Sequence, residues 1–149
     1  MSAPTVLLLS GPNLQLLGER EPGVYGLATL EDHVATAAQA ATERGLRLEH
    51  HQSDSEADLV ELVHRARGRV AAIVVNPGAL THYGWSLHDA LAAFDGPVVE
   101  LHLSNPEARE AWRRTSVIAP VATGTIAGFG AAGYALAVEA VATLLNAAP

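Results

Sequence analysis

Between Gly11 and Gly26 the chain reads GPNLQLLGEREPGVYG, a stretch that follows the apolar run Val6–Leu9 and places Asn13, Arg20 and Tyr25 in one loop. The 149 residues include no cysteine and no lysine, so the basic side chains are arginines and seven histidines. Chemistry here runs without a Schiff-base amine and without a thiolate. Two histidines stand where chains leave strands: His82 in NPGALTH and His102 in VVELHLSNP. Glu100 lies two residues before His102, so on a strand both side chains share a face. From there the carboxylate can orient the imidazole and help it act as an acid near neutral pH. A buried structural histidine is the competing reading of His102. Asn13 and Asn76 each neighbour a proline and also read as turn formers. Asp89, three residues beyond Ser86, reads as a capping-box partner, and Tyr25 as a residue that packs its loop down.

The remaining histidines do not form a metal site. His50-His51 and the His82/His88 pair lack the i, i+4 helical spacing, and no carboxylate completes a set. His33, His50, His51 and His64 read as surface or strand-edge residues. The segment Gly128–Gly133, GFGAAG, matches G-x-G-x-x-G, but too few residues follow it for a βαβ unit, and no acidic residue sits about 20 positions on. Close backbone packing at the start of the last helix is the better account of these glycines, and a Walker lysine is impossible.

The elements that must position these groups alternate regularly. Val6–Leu9, Val70–Val75 and Val98–Leu103 read as strands, the first two uninterrupted apolar runs as expected of strands buried on both faces. Leu46–His51 is a weaker strand, and Ser116–Pro120 is the expected fifth. Helices are expected over Thr29–Arg44, Ser55–Arg67, Ser86–Phe94, Pro106–Arg113 and Tyr134–Asn146, with glycine stops after three of them. The order implies an α/β fold: one domain, residues 1–149, with a flavodoxin-like, doubly wound, five-stranded parallel sheet. Ligands of such sheets bind beyond the carboxyl ends of the strands. Asn13, Asn76, His82, His102 and Ser104 should therefore converge on one pocket.

Composition narrows the partners. A net charge of −7 argues against nucleic acid and anionic membrane surfaces. No run approaches the roughly 18 apolar residues of a membrane span, and the N-terminal MSAPTVLLLS lacks the basic region of a signal peptide. A soluble, cytoplasmic protein is expected. Charged residues are only 17% of the chain, against about 25% in an average domain, which points to surface hidden in a homo-oligomer.

Four motifs, GPNLQLLGEREPGVYG, NPGALTH, VELHLSNPEARE and SVIAPVATGTIAGFGAAGY, together resemble the type II 3-dehydroquinate dehydratases across nearly the whole chain. The absence of lysine agrees, because the unrelated type I enzymes work through a Schiff-base lysine. The resemblance implies a lyase of the shikimate and quinate routes, and so of aromatic amino acid and chorismate biosynthesis. It converts 3-dehydroquinate to 3-dehydroshikimate by anti elimination through an enolate, with no cofactor or metal. Tyr25 is implied as the base and His102 as the acid, with Arg20 and Asn13 stabilising the transition state and the enolate. Ionising an ordinary tyrosine at pH 7 costs about 4 kcal/mol, and a guanidinium about 4 Å away supplies roughly that much at an effective dielectric near 20. Arg20 and Arg113 are the implied sources of that field. Asn76, His82, Asp89, Leu103, Ser104 and Arg113 are implied to hold the substrate, Glu100 to support His102, and residues 18–26 to close as a lid. Asp89 is implied to serve a neighbouring subunit within a dodecamer of trimers.

Gln15, Leu80, Tyr83-Gly84-Trp85 and His88 depart from the family's usual residues without removing a catalytic group. The competing function is a non-catalytic flavodoxin-like module binding a flavin or nucleotide. A third is a related lyase acting on another cyclic polyol ketone.

Overall fold

The computed structural model describes residues 2–147. Five strands, β1 (Thr5–Ser10), β2 (Arg47–Gln52), β3 (Ala72–Asn76), β4 (Val98–His102) and β5 (Gly124–Ala127), form one all-parallel sheet in the order β2-β1-β3-β4-β5. This is the flavodoxin-like order. The chain moves from β1 to one edge and then crosses back to β3, so the order reverses between β1 and β3. The register aligns Ser10 with Asn76 and His102 with Ala127, which brings the carboxyl ends to one side.

Side-chain alternation along the strands separates two cores. Val6 and Leu8 of β1, with Val74 and Leu101, face α2 (Leu30–Glu43) and α5 (Ala132–Ala147). Leu7 and Leu9, with Ile73 and Val75, face α3 (Glu56–Ala66) and α4 (Trp85–Ala92). Each such leucine or valine contributes about 1.5–3 kcal/mol by leaving water. Edge strand β2, RLEHHQ, is only half covered and accordingly polar.

Local chemistry sets the helix ends. Thr29 and Asp32 form a reciprocal capping box at α2, and Ser55 caps α3. Gly45 and Gly68 stop these helices with φ of +72° each. The third expected stop, Gly96, plays another role: a Cβ there would lie 2.4 Å from the Ala71 carbonyl oxygen, so it permits a close backbone approach. Of the GFGAAG glycines, Gly133 serves packing, since a Cβ there would lie 2.9 Å from Leu101 Cδ1, whereas Gly128 and Gly130 take positive φ of +93° and +57°.

Four expectations need correction. Ser116–Pro120 is not the fifth strand: the Ser116 hydroxyl takes the amides of Ile118 and Ala119, folding the segment into a turn, and the ladder passes to Gly124–Ala127. Pro106–Arg113 is not one helix but two 3-10 turns, Pro106–Ala108 and Ala111–Arg114, separated by an extended Arg109. Asp89 does not cap α4; the helix begins at Trp85, and Glu56 of α3 accepts the Leu87 amide instead. His33 is not at the surface: it lies on the buried stripe of α2 and stacks on Tyr134 with ring centroids 4.7 Å apart. Between β1 and α2 lies a short helical turn, α1 (Pro22–Tyr25), which buries no residue.

Candidate active site

The loops after β1 and β3 interlock at the point where strand order reverses. A Cβ on Gly11 would lie 2.3 Å from the Pro77 carbonyl oxygen, and one on Gly78 would lie 3.0 Å from that of Pro12. The Gly11 amide donates to the Asn76 carbonyl at 2.8 Å. Two residues on, Asn13 lies in the left-handed region, with φ 69°, a conformation asparagine tolerates better than most residues, and its amide donates to Asp54 Oδ1 at 2.9 Å. Asn76 is buried; its Nδ2 donates to the Tyr134 hydroxyl at 3.3 Å, while its Oδ1 accepts the Gly78 amide.

An open cleft lies over these loops, with about 100 Å³ of space enclosed at its floor. Asn13, Arg20, Tyr25, Asn76, His82, His102, Leu103, Ser104 and Arg113 all line it. Of the residues singled out in the sequence, Asp89 and Glu100 do not. Asp89 is on α4, its side chain 84% exposed and hydrogen-bonded to His88. Glu100 stands behind His102, almost fully buried.

The β4 wall is dense with hydrogen bonds. His102 Nε2 lies 2.5 Å from Glu100 Oε2, as their shared strand face requires. Burial would raise the Glu100 pKa, but hydrogen bonds from His102, Thr81 and Ser116 outweigh it and hold the carboxyl below the usual carboxylate range. His82 ends a 3-10 turn over Gly78–His82, and its Nδ1 lies 2.7 Å from the Thr115 carbonyl oxygen. A carbonyl only accepts, so Nδ1 carries the proton and Nε2 is the nitrogen left as an acceptor.

On the opposite wall Tyr25 sits between two cations. Arg109 Nη1 donates to the Tyr25 hydroxyl oxygen at 2.8 Å and to Ser104 Oγ at 3.3 Å. The guanidinium carbons of Arg20 and Arg109 lie 5.0 and 5.2 Å from the Tyr25 ring centroid. Arg109 escaped the sequence reading, which assigned this field to Arg20 and Arg113. Arg113 lines the cleft but is held by Glu110 at 2.5 Å and lies over the Trp112 ring. Among the described residues, no three His, Cys, Asp or Glu side chains are grouped to hold a metal ion.

A phenol flanked by guanidiniums, sharing a cleft with an imidazole backed by a buried carboxylate, is an arrangement for moving protons. The family profile described as "Dehydroquinase class II" matches residues 4–142. The chain is 54% identical over 141 residues to a 3-dehydroquinate dehydratase of Desulforudis audaxviator, covering 95% of this chain and 94% of the relative. It is 51% identical to "3-dehydroquinate dehydratase 2" of Pseudomonas aeruginosa, covering 97% of each. The crystal structure of type II dehydroquinase from Propionibacterium acnes superposes with a TM-score of 0.91 at 42% identity, covering 95% of this chain and 98% of that one. With the profile spanning most of its length and such relatives covering nearly all of it, the chain belongs to the class II dehydroquinase family.

Proposed function

We propose that this protein dehydrates 3-dehydroquinate to 3-dehydroshikimate by anti elimination, with Tyr25 as base and His102 as acid. The observation that carries the reading is the Tyr25 hydroxyl under Arg109, in the same cleft as a His102 imidazole backed by Glu100. As phenolate, Tyr25 removes a proton from C2, and the electron pair passes into the C3 carbonyl as an enolate. Arg20 and Arg109 make that phenolate affordable electrostatically, and neither guanidinium surrenders its own proton. Asn13 donates to the enolate oxygen where charge develops. When the enolate collapses, the C1–C2 double bond forms, the C1–oxygen bond breaks, and His102 protonates the departing hydroxyl as water. Tyr25 ends protonated and His102 neutral, so one proton returning from Tyr25 to His102 through solvent restores the site.

Asn76, the free Nε2 of His82, the backbone at Leu103, Ser104 and Arg113 hold the substrate's carboxylate and hydroxyls. Residues 18–26 close over it as a lid. Support for the lid comes from its neck, where Gly18 (φ +90°) packs against the Leu27 carbonyl, and from Gly26 (φ +84°) at its far end. Asp89 completes the site of a neighbouring copy in a dodecamer of trimers. Its exposure outside its own cleft, and the exposed Tyr83, Trp85 and Trp112 nearby, support that assembly. No helix among the described residues is long and apolar enough to cross a membrane, and a cytoplasmic location is the corresponding proposal.

The test is direct. Purified protein mixed with 3-dehydroquinate should give the absorbance of a conjugated enone, and borohydride added with substrate should leave activity intact. No absorbance rise, or inactivation by borohydride, would contradict the reading.

A further inference from the structure

Glu100, Thr81 and Ser116 stay out of the substrate cleft and line, with His102, a second cavity behind it. Their hydroxyls and carboxylate are within hydrogen-bond reach of one another: Thr81 Oγ1 is 2.6 Å from Glu100 Oε2, Ser116 Oγ is 2.9 Å from the same oxygen, and the two hydroxyl oxygens are 2.7 Å apart. Counting protons fixes the direction of these bonds. A hydroxyl has one proton and two lone pairs. Ser116 Oγ already accepts the amides of Ile118 at 3.1 Å and Ala119 at 3.0 Å. Its lone pairs are therefore spent, and the Thr81 proton has only Glu100 to go to. The Ser116 proton in turn goes to Thr81 or to Glu100.

We propose that Thr81 and Ser116 are positioning residues for the reaction: their paired hydroxyls hold Glu100 as an acceptor-only carboxylate, which locks Nε2–H of His102 against it and leaves Nδ1 to deliver the proton in the cleft. The consequence for the reaction rests on the function proposed above. The His102 Nε2–H and the Thr81 proton point at Glu100, and the Ser116 proton goes to it or to Thr81, so a protonated Glu100 would face donors with an O–H of its own and no acceptor for it. Thr81 and Glu100 are themselves buried, which makes such a mismatch costly, because a polar group left unpaired in low dielectric loses much of its compensation. Arg113, Arg114 and Glu107 are the charged groups that share the rear cavity; among the described residues, none of the three hydrogen-bonds to Glu100. The hydroxyl pair also sits at a stitch between two segments, where the Val117 amide donates to the Thr81 carbonyl and His82 Nδ1 to that of Thr115, each at 2.7 Å. One small network thus indexes both cleft histidines.

The test follows the Glu100 carboxyl carbon by NMR in full-length protein carrying labelled glutamate, with the resonance assigned by its loss in Glu100→Gln. In Thr81→Val and in Ser116→Ala, the Glu100 titration should move up by about one pH unit, the size expected for a lost hydrogen bond to a charged group. The acid limb of the kcat profile should move with it while kcat falls about tenfold, part of what a general acid contributes. Thr81→Ser should restore both. Unmoved Glu100 titration in the two variants would overturn the proposal, as would a lower kcat with an unshifted profile, the signature of a merely structural role. If Thr81→Val does not fold, Ser116→Ala decides alone. A parent protein inactive on 3-dehydroquinate would defeat the function proposed above, yet the carboxyl titration would still judge the network.

Discussion

The two walls of the cleft are built on opposite principles. The β4 wall carries His102 on a strand, with its partner Glu100 buried and bonded by two hydroxyls. The facing wall carries Tyr25 on a four-residue helical turn with no fully buried residue, which starts from Glu21 in the left-handed region, with φ 41°. His102 is oriented by its strand register with Glu100 and by the hydroxyls of Thr81 and Ser116 behind it. Tyr25 is oriented by two arginines that come from different segments, Arg20 in its own loop and Arg109 across the cleft. The proposed acid therefore sits on the sheet, and the proposed base sits on a loop where charge assembles it. Arg109 is the link, since one guanidinium touches both Tyr25 and Ser104.

That contrast can be broken from either wall. His102→Ala should lower kcat about 10³-fold, within the usual contribution of a general acid, with the fold retained in circular dichroism. Arg109→Ala should cost about 10²-fold in kcat, as for loss of one charge-stabilising donor. Arg109→Lys should recover little of it, because a point charge does not reproduce the fork that reaches both Tyr25 and Ser104; equal rates for Lys and Arg would show that charge alone suffices. Stability should respond on the β4 wall. Because Glu100 is held below its ordinary range when folded, its contribution is present above the unfolded value near 4.5 and is lost as pH falls through the folded one. Glu100→Gln should therefore lose about 1.5–3 kcal/mol at pH 7, and denaturant titrations should find that deficit shrinking below pH 4.5. The smallest effect belongs to His33, whose pKa burial lowers from 6.5. Its neutral form is the folded one, so stability should fall as pH drops below 6.5 while the unfolded chain gains a proton. His33→Leu should flatten that slope in thermal melts, and an unchanged slope would place the acid sensitivity elsewhere.

The sequence carried the sheet's centre and the β4 wall clearly, and its edges and loops poorly. Buried strands such as Val6–Leu9 announce themselves by unbroken apolar runs, and Glu100 with His102 by a two-residue period. The fifth strand, GTIA, is a half-exposed edge with one large apolar residue, so the richer SVIAP nearby competes for the assignment. Only the turn chemistry of Ser116 removes it. Arg109 was hidden because Pro106–Arg113 reads as one helix. Its spacing from Arg113, i to i+4, was the available signal, but the break that extends residue 109 toward Tyr25 depends on contacts far away in the chain. His33 was legible in principle, lying on the Leu30–Ala37 stripe of α2, where the side chain's polarity masked the helical period.

The central claim is that Tyr25, held by Arg109, abstracts the proton. The most direct measurement is steady-state turnover of 3-dehydroquinate by Tyr25→Phe, followed as enone absorbance beside the parent enzyme at equal folded concentration. The account predicts a fall of about 10³-fold or more in kcat, with an unchanged melting temperature. A Tyr25→Phe enzyme turning over at near the parent's rate would contradict it.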